Sequence, residues 1–220
     1  IDLLVEDPQE RGVILDWLSY VYQNPGKKMT WALLIQGAEG VGKSYFGNVM
    51  QTLLGRNMKT IDATAITGRF NGWAHGATLV AVEEIKISGE NKYDIIDRLK
   101  PIISNSVVSI EEKGRDIRTV PNFSNYMMFT NHKDALPLSE NDRRYAVIFS
   151  RFQSLEELNG YFGSSEKAQA YFDRLFADLE EHAGAIAGFL SSYRQSASFA
   201  PKGRAPVTSS KARMQRFSFS

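Results

Sequence analysis

Residues 31–54 read WALLIQGAEGVGKSYFGNVMQTLL, and this stretch decides the fold class. It begins with an apolar run of strand length at 31–35 and ends in 45–54, where the apolar residues have helical spacing. Between them, residues 37–44 form a complete G-x-x-x-x-G-K-[ST] motif in the context that the motif requires, after a strand and before a helix. The stretch therefore predicts one α/β unit with a phosphate-binding turn.

The residue types of this turn suit a nucleoside triphosphate with magnesium. Glycines let backbone N–H groups face the phosphates, and the following helix adds its positive N-terminal end. Lys43 would reach the β- and γ-phosphates, and the Ser44 hydroxyl would bind Mg²⁺. The predicted cofactors are ATP and Mg²⁺, and the predicted nucleotide contacts are Gly37, Ala38, Glu39, Gly40, Val41, Gly42, Lys43, Ser44 and Tyr45.

A second acidic site follows at residues 79–84, which read LVAVEE. An apolar strand that ends in two acids is a Walker B pattern, in which Glu83 would hold Mg²⁺ and Glu84 would polarise the attacking water. Taken alone, two acids at a strand end need only solvate it, but an intact phosphate loop upstream favours the functional interpretation. No N-K-x-D segment for guanine recognition is present, which argues against a GTPase.

The remainder of the chain continues the alternation of strands and helices. Asp7 is a suitable N-cap for a helix over 7–23, with Glu10 placed to reach back as in a capping box. The alternation predicts an αβα sandwich with a mostly parallel central sheet, an N-terminal helix and a C-terminal helical segment. Further predicted elements are strands at 77–82, 126–130 and 145–149, a hairpin at 107–120, and helices at 93–103 and 166–193.

These elements divide the chain into four predicted parts. They are an N-terminal helical lead-in at 1–28, an ATPase core at 29–165, a C-terminal helical segment at 166–200 and a flexible basic tail at 201–220. The tail is predicted from five basic side chains, no acidic ones, and several Ser, Pro and Gly.

Composition excludes several classes of protein. The 220 residues carry a net charge of +1 and contain no cysteine, so disulfides, iron–sulfur clusters and thiolate zinc sites are excluded. No apolar run approaches the roughly 20 residues that span a bilayer, and no signal peptide opens the chain. A cytoplasmic protein is expected, and the start at Ile1 indicates a piece of a longer one.

Four further segments follow in an order that resembles superfamily 3 helicases. They are GRFNGW at 68–73, LKP at 99–101 leading into the hairpin, MMFTN at 127–131 and NDRRY at 141–145. The likeness is to the helicase part of phage and plasmid primase-helicases, which are related to the poxvirus-type enzymes, and it covers residues 8–152. It implies an AAA+-like ring motor that hydrolyses ATP to move along single-stranded DNA and unwind duplex.

The resemblance also assigns roles to individual residues. Asn131 is similar to a sensor that binds the γ-phosphate or the lytic water, and Arg144, with Arg143 as substitute, resembles an arginine finger acting on a neighbouring subunit. The implied catalytic set is Lys43, Glu84, Asn131, Arg144 and Arg143, with Ser44 and Glu83 on the metal and Lys113, Arg115 and Lys100 on DNA. The implied partners are single-stranded DNA, further copies of the chain in an expected hexamer, and a fused primase or polymerase.

The residues alone leave other interpretations open. Asn131 could cap a turn, the two arginines could be solvated or pair with Asp142, and the hairpin is nearly neutral and suits plain solvent. A non-helicase AAA+-like ATPase such as a loader or packaging motor, or a nucleotide-gated assembly module, would share the same loop. A small-molecule kinase would also share it, but no arginine-rich lid segment is present to support one.

Overall fold

The computed structural model of the chain describes residues 1–89 and 92–218. The last two residues of the predicted basic tail, 219 and 220, lie outside the described residues. The described strands are β1 Ala32–Gln36, β2 Met58–Asp62, β3 Leu79–Glu83, β4 Val107–Ile110, β5 Arg118–Pro121, β6 Asn125–Thr130 and β7 Tyr145–Phe149. The described helices are α1 Pro8–Gln23, α2 Tyr45–Leu54, α3 Ala63–Thr67, α4 Lys92–Ser104, α5 Leu155–Phe162, α6 Ser165–Ser192 and α7 Ser209–Ser218.

Five strands form one sheet in the order β2-β3-β6-β1-β7, and every pairing in it is parallel. Strands β1, β6 and β7 are buried at every residue, since helices cover both faces of the sheet. The predicted α/β fold with a mostly parallel sheet is confirmed. Strand β2 was not predicted, because it mixes Lys59 and Thr60 with its apolar residues and is only partly buried.

The sheet separates two apolar cores, because neighbouring residues of a strand point to opposite faces. Leu33 and Ile35 of β1 face a core with α1, α2, α5 and α6, whereas Ala32 and Leu34 face a core with α3, α4 and α7. The result is an αβα sandwich. The carboxyl ends of its parallel strands lie along one edge of the sheet, called the carboxyl edge below, and their amino ends lie along the opposite, amino edge. No helix among the described residues is long and apolar enough to cross a membrane.

Helix α1 begins as predicted, but the carboxylate of Glu10, its third residue, does not cap the helix. The Asp7 carboxylate accepts the Gln9 N–H at 2.8 Å, and Pro8 occupies the first helical position. The capping-box prediction for Glu10 is wrong, because its carboxylate instead accepts hydrogen bonds from Ser209 and Ser210 at 2.7–2.9 Å. Glu10 is thus a buried anchor for the far end of the chain.

The prediction of a flexible basic tail at 201–220 is wrong for the residues described there. Helix α7 packs on β7, and Ala205, Lys211 and Met214 are buried. The basic composition did not indicate this packing, because Lys211 forms a buried ion pair with Asp142 and is not exposed to water. The preceding helical pattern is found as α6, which has non-helical backbone angles at His182.

Candidate functional site

The loop at 37–44 connects β1 to α2 and needs glycine for steric reasons at two positions. A Cβ on Gly37 would lie 2.6 Å from the Ser150 Cβ. Gly42 has a φ of +94°, and a Cβ there would lie 2.4 Å from the ring of Phe172. Both contacts are closer than carbon atoms approach in folded proteins, so the loop as folded requires these glycines.

The backbone N–H groups of this loop form an open set of donors. Gly37 donates to the Thr130 carbonyl at 3.2 Å and Ala38 to the Phe152 carbonyl at 3.3 Å. From residue 39 to residue 44, no backbone N–H donates a hydrogen bond to any part of the chain that the structure describes. Helix α2 starts directly after these amides, with no side-chain cap at Ser44. Unpaired amides at a helix N-terminus are a suitable receptor for an anionic group such as phosphate.

Lys43 lies at the base of this loop and is buried. Its ammonium group donates to the Ala38 carbonyl at 2.6 Å and to the Asn131 Oδ1 at 2.7 Å. Burial lowers the pKa of Lys43, and three nearby carboxylates, of which Glu83 has the largest effect, oppose that shift. The loop's cation therefore already bridges the loop to the end of β6.

The sheet order brings the predicted acids to the same place. Strand β6 lies between β1 and β3, so the carboxyl ends of all three strands meet at one edge. Glu83 ends β3 and Asn131 follows β6. Burial and the charge of Glu84 raise the pKa of Glu83, while Lys43 acts in the opposite direction.

Glu84 has an unusual backbone conformation. Its φ is +53°, and it is the one non-glycine residue with a positive φ in the two described ranges. An L-residue there costs about 1–2 kcal/mol, so the surrounding contacts must impose this conformation. The Ile85 N–H donates to the Phe129 carbonyl at 2.8 Å, which fixes the chain just after Glu84. The side chain of Glu84 is exposed at the strand end.

The space enclosed by these residues is small. Glu83, Glu84, Lys43, Ser44 and Asn131 line a cavity of 80 Å³. Ligand pockets are usually about 300–1,000 Å³, so a nucleotide would need this loop to open. Two larger cavities, of 380 and 490 Å³, lie elsewhere and contain none of the predicted site residues, and the chemistry of the small one makes it the candidate site.

No group of three or more His, Cys, Asp or Glu side chains in the described ranges could hold a metal ion by itself. Ser44 and Glu83 supply one hydroxyl and one carboxylate to the same cavity. Mg²⁺ usually takes one or two protein oxygens and completes its shell with water and substrate phosphates. The donor set therefore suits magnesium delivered with a nucleotide.

Helices α5 and α6 cover the loop, which the sequence did not indicate. The Leu155 side chain lies against Gly40, and the Phe172 ring lies against Gly42. Tyr45, a predicted nucleotide contact, donates its hydroxyl to the Leu175 carbonyl at 3.1 Å. These contacts join residues more than a hundred positions apart, and no local pattern in the sequence signals them.

The two predicted arginines lie at the other edge of the sheet. Both precede β7, whose first residue pairs with Ala32 and whose last pairs with Gln36 beside the loop. A strand of this length separates them from the loop by about 13 Å, at about 3.3 Å per residue. Arg143 is exposed, whereas Arg144 is half-buried and its Nε donates to Ser104 Oγ at 3.1 Å. The structure does not bring them to the same chain's loop.

The predicted hairpin is present as the antiparallel pair β4 and β5. Lys113 is exposed at its turn and makes no ion pair with any described residue, while Arg115 and Arg118 both pair with Glu112 at 3.0 Å. Lys100 pairs with Asp97 on α4. Of the three predicted DNA contacts, Lys113 is thus the one whose charge is not paired with a described carboxylate.

The 68–73 segment braces this hairpin. The Asn71 side chain donates to the Ser109 carbonyl at 2.8 Å and accepts the Glu111 N–H at 2.7 Å, and Arg69 pairs with Glu111 at 2.6 Å. The sequence indicates only that this segment precedes the second acidic site, and it does not indicate the contact with the hairpin. An Asn followed by a glycine was the available signal, since Asn readily bonds to backbone groups.

Comparisons with known proteins match the same region. The sequence model of a family of unknown function, DUF5906, matches residues 35–144, which are 110 of the 220 residues. The DNA primase-polymerase of Nitratiruptor phage NrS-1 is 22% identical over 150 residues, which are 67% of this chain and 21% of that protein.

Solved structures show the same fold. An apo structure of the NrS-1 C-terminal region aligns with 98% of this chain and 49% of its own chain, at 20% identity and a TM-score of 0.77. A second apo structure of that region, the A form, aligns with 96% of this chain and 48% of its own, at 19% identity and a TM-score of 0.73. The chain spans about half of these solved chains and about a fifth of the curated relative.

Proposed function

The chain belongs to DUF5906, a family of unknown function, and we propose that it is an AAA+-like P-loop ATPase, the helicase motor of a phage or plasmid replication protein. One observation carries the proposal. Lys43, Ser44, Glu83, Glu84 and Asn131 converge beside a row of unpaired loop amides, although they come from three separate segments. Such a set suits phosphoryl transfer from a bound triphosphate to water.

Each residue has a chemical task in this proposal. The amides of 39–44 bind phosphate oxygens, and Lys43 leaves Ala38 and Asn131 to contact the β- and γ-phosphates. Glu84 accepts the proton of the attacking water, and Asn131, once released by Lys43, orients that water. Ser44 and Glu83 would hold Mg²⁺, which would neutralise charge on the phosphate groups when bound.

The position of the arginines supports a ring of identical subunits. The backbone of the arginines is separated from the loop of the same chain by a strand length of about 13 Å, and the Arg144 side chain is bonded to Ser104, so the chain does not place them at its own transferring phosphoryl group. Supplied from a neighbouring subunit, a guanidinium would stabilise the developing charge. The exposed Arg143 is free to reach across, and Arg144 would have to leave Ser104 first. We propose a homo-oligomer, with a hexamer as the expected form.

DNA contact is proposed for the hairpin. Its base lies at the arginine edge of the sheet, since Ser104 accepts from Arg144 and Asn122 N–H donates to the Ser106 carbonyl. The uncommitted charge of Lys113 suits a phosphate of a single strand. The likeness to a phage primase-polymerase supports a role in replication, and a fused primase or polymerase is part of the proposal.

The central experiment measures ATP hydrolysis by the full-length protein over a range of protein concentrations, with and without single-stranded DNA. A rate per chain that rises with both concentration and DNA is expected, because the site is shared between subunits. Lys43→Ala should reduce the rate to background, whereas the exposed Lys167→Ala serves as the matched lysine control. A Lys43→Ala protein that hydrolyses ATP normally would refute the proposal.

A nucleotide-gated assembly module is the second candidate, and the closed loop favours it. Lys43 is held by Asn131, and the cavity of about 80 Å³ is smaller than an ordinary ligand pocket. Nucleotide binding would then open the loop and change assembly without turnover. Binding and assembly without hydrolysis would select this function, and hydrolysis without unwinding would select a loader or packaging motor.

A further inference from the structure

The C-terminal segment, residues 200–218, holds the loop that carries the two arginines. This arginine loop comprises residues 139–144. The N–H of Ala205 donates to the Arg143 carbonyl at 2.9 Å, Arg204 donates to the Asn141 carbonyl at 3.1 Å, and Gln215 donates to the Ser139 carbonyl at 2.6 Å. Contacts from the segment thus reach both ends and the middle of the loop.

Lys211 makes the tightest of these connections. Its ammonium group is buried and donates to both the carbonyl and the Oδ1 of Asp142, each at 2.9 Å. The same Oδ1 accepts the N–H of Arg144 at 3.1 Å and of Tyr145 at 3.2 Å. Lys211 therefore fixes the carboxylate that sets the backbone of Arg144 at the start of β7.

The segment is itself firmly attached. Thr208 donates to the Val147 carbonyl at 2.5 Å, and Ser210 accepts the Phe149 N–H at 2.8 Å, so the free edge of β7 is partly bonded by side chains. Glu10 holds Ser209 and Ser210 from the other side. Lys211 is therefore presented from a rigid support.

A buried ion pair is a poor device for stability alone. Removing two charges from water costs free energy that apolar residues of similar size would not incur, and such pairs are better suited to defining one geometry. Exposed polar loops are usually mobile, whereas this one is tied to α7 at several points. The arrangement restricts where the arginine side chains can go.

We propose that Lys211 is a positioning residue for the arginine loop and that the C-terminal segment is part of the machinery for ATP hydrolysis between subunits. This inference rests on the proposed function. Lys211 touches neither nucleotide nor DNA, and it acts through Asp142 on Arg143 and Arg144. A chain that lacks this contact keeps its own nucleotide site but supplies a misplaced guanidinium to its neighbour.

The first test compares kinetics with binding in the full-length protein. Lys211→Met should lower kcat of DNA-stimulated hydrolysis by about 10-fold or more, since an error near 1 Å in a reacting group can cost about 100-fold. Its affinity for a fluorescent ATP analogue should stay within about twofold of the parent protein, because a positioning role leaves uniform binding unchanged. Arg213→Ala is the matched control, since Arg213 is on the same helix but stacks on Phe149 instead.

The second test mixes an inactive protein, Lys43→Ala, with the impaired Lys211→Met protein. Lys43→Ala chains keep an intact arginine loop, and Lys211→Met chains keep an intact nucleotide site. In equal mixtures about a quarter of the interfaces pair the two good halves, so up to about a quarter of the parent rate should return if subunits meet head to tail. Misfolded chains could not restore activity in this way.

The outcomes separate the inference from the proposed function. Parent-like kcat in Lys211→Met, or loss of nucleotide binding with no recovery on mixing, would overturn the inference. Parent-like kcat in an Arg143→Ala, Arg144→Ala double variant would instead overturn the shared site of the proposed function. If Lys211→Met does not fold, the exposed Arg204→Ala combined with Gln215→Ala takes its place, with the same expectations and a smaller loss.

Discussion

The two edges of the parallel sheet carry the two halves of the proposed site, and they are built in different ways. At the carboxyl edge, the 37–44 loop, β3 and β6 each bring their own residues, and local sequence determines their identity. At the amino edge, the arginine loop depends on Lys211, which is 69 positions away from Asp142. The residue types of the proposed binding site are therefore encoded locally, while the backbone of the arginine loop is held by a distant segment.

The largest expected effect comes from a change at the carboxyl edge, at Glu84. Glu84→Gln keeps the shape of the side chain but removes its capacity to accept a proton, so hydrolysis should fall by about 10²–10⁴-fold. ATP binding should persist, because the loop amides and Lys43 are unchanged. Rapid-quench hydrolysis and equilibrium binding measure the two quantities. Equal losses in both would show that Glu84 shapes the site rather than acts in it.

A packing change at the same edge should have a smaller effect. Gly42→Ala places a Cβ against Phe172 at a positive φ, and overpacking of this kind costs about 1–3 kcal/mol of unfolding free energy. Thermal unfolding checks this, and ATP affinity should fall as well. Gly188→Ala is the matched control, because nothing lies within 4 Å of its added Cβ and alanine is the better helix residue.

A change at Glu10 tests whether the anchor of α7 affects the arginines at the amino edge. Glu10→Ala leaves the Ser209 and Ser210 donors without their acceptor, which should cost about 1–3 kcal/mol in chemical denaturation. It should also lower kcat without changing ATP affinity. Glu6→Ala removes only an exposed pair with Arg151 and should change neither. A loss of ATP affinity in Glu10→Ala would mean that the two edges are not independent.

For the hairpin, we expect a modest effect on DNA binding and none on basal ATP hydrolysis. Lys113→Ala should weaken binding to single-stranded DNA several-fold and reduce the slope of log affinity against log salt by about one unit. Basal hydrolysis should be unchanged, since Lys113 lies away from the loop. Fluorescence anisotropy over a salt series measures this. Arg115→Ala, whose charge is already paired with Glu112, should have less effect.

The smallest expected effect is a shift in pH dependence at the carboxyl edge. Burial and the charge of Glu84 raise the pKa of Glu83, so its carboxylate is protonated at a higher pH than an ordinary glutamate. Mg²⁺ requires the ionised form, and Mg²⁺-dependent nucleotide binding should therefore weaken as pH falls toward that raised pKa. Glu84→Gln removes one of the two causes, so the loss should move to lower pH. An unshifted curve would exclude coupling between the two acids.

Much of the fold followed from local patterns. Strands β1, β6 and β7 are apolar at nearly every position because both faces of the sheet are covered, and that signal needs no tertiary knowledge. Strand β2 escaped prediction because it is only partly buried and Lys59 and Thr60 interrupt its apolar residues. Helix α7 escaped because its residues are mostly polar and only Met214 and a few neighbours are buried.

The candidate site divides in the same way. The motif at 37–44 and the acids at 83 and 84 were recognisable because each lies on a contiguous stretch with its own chemistry. Phe172, which contacts Gly42, and Lys211, which fixes Asp142, were not recognisable. An aromatic residue in a helix or a lysine in a basic stretch has no distinctive local pattern, so its partner is known only once the chain has folded.

The sequence by itself determined the sheet's buried strands, the glycine-rich loop at 37–44 and the acids at 83 and 84, because hydrophobic periodicity and backbone requirements act over a few neighbouring residues. Tertiary structure alone decided that Lys43 is held by Asn131, that α6 covers the loop and that Lys211 sets the arginine loop. These contacts join distant segments through the packing of two cores on one sheet. Their physical basis is burial and hydrogen bonding between residues that only the complete fold brings together.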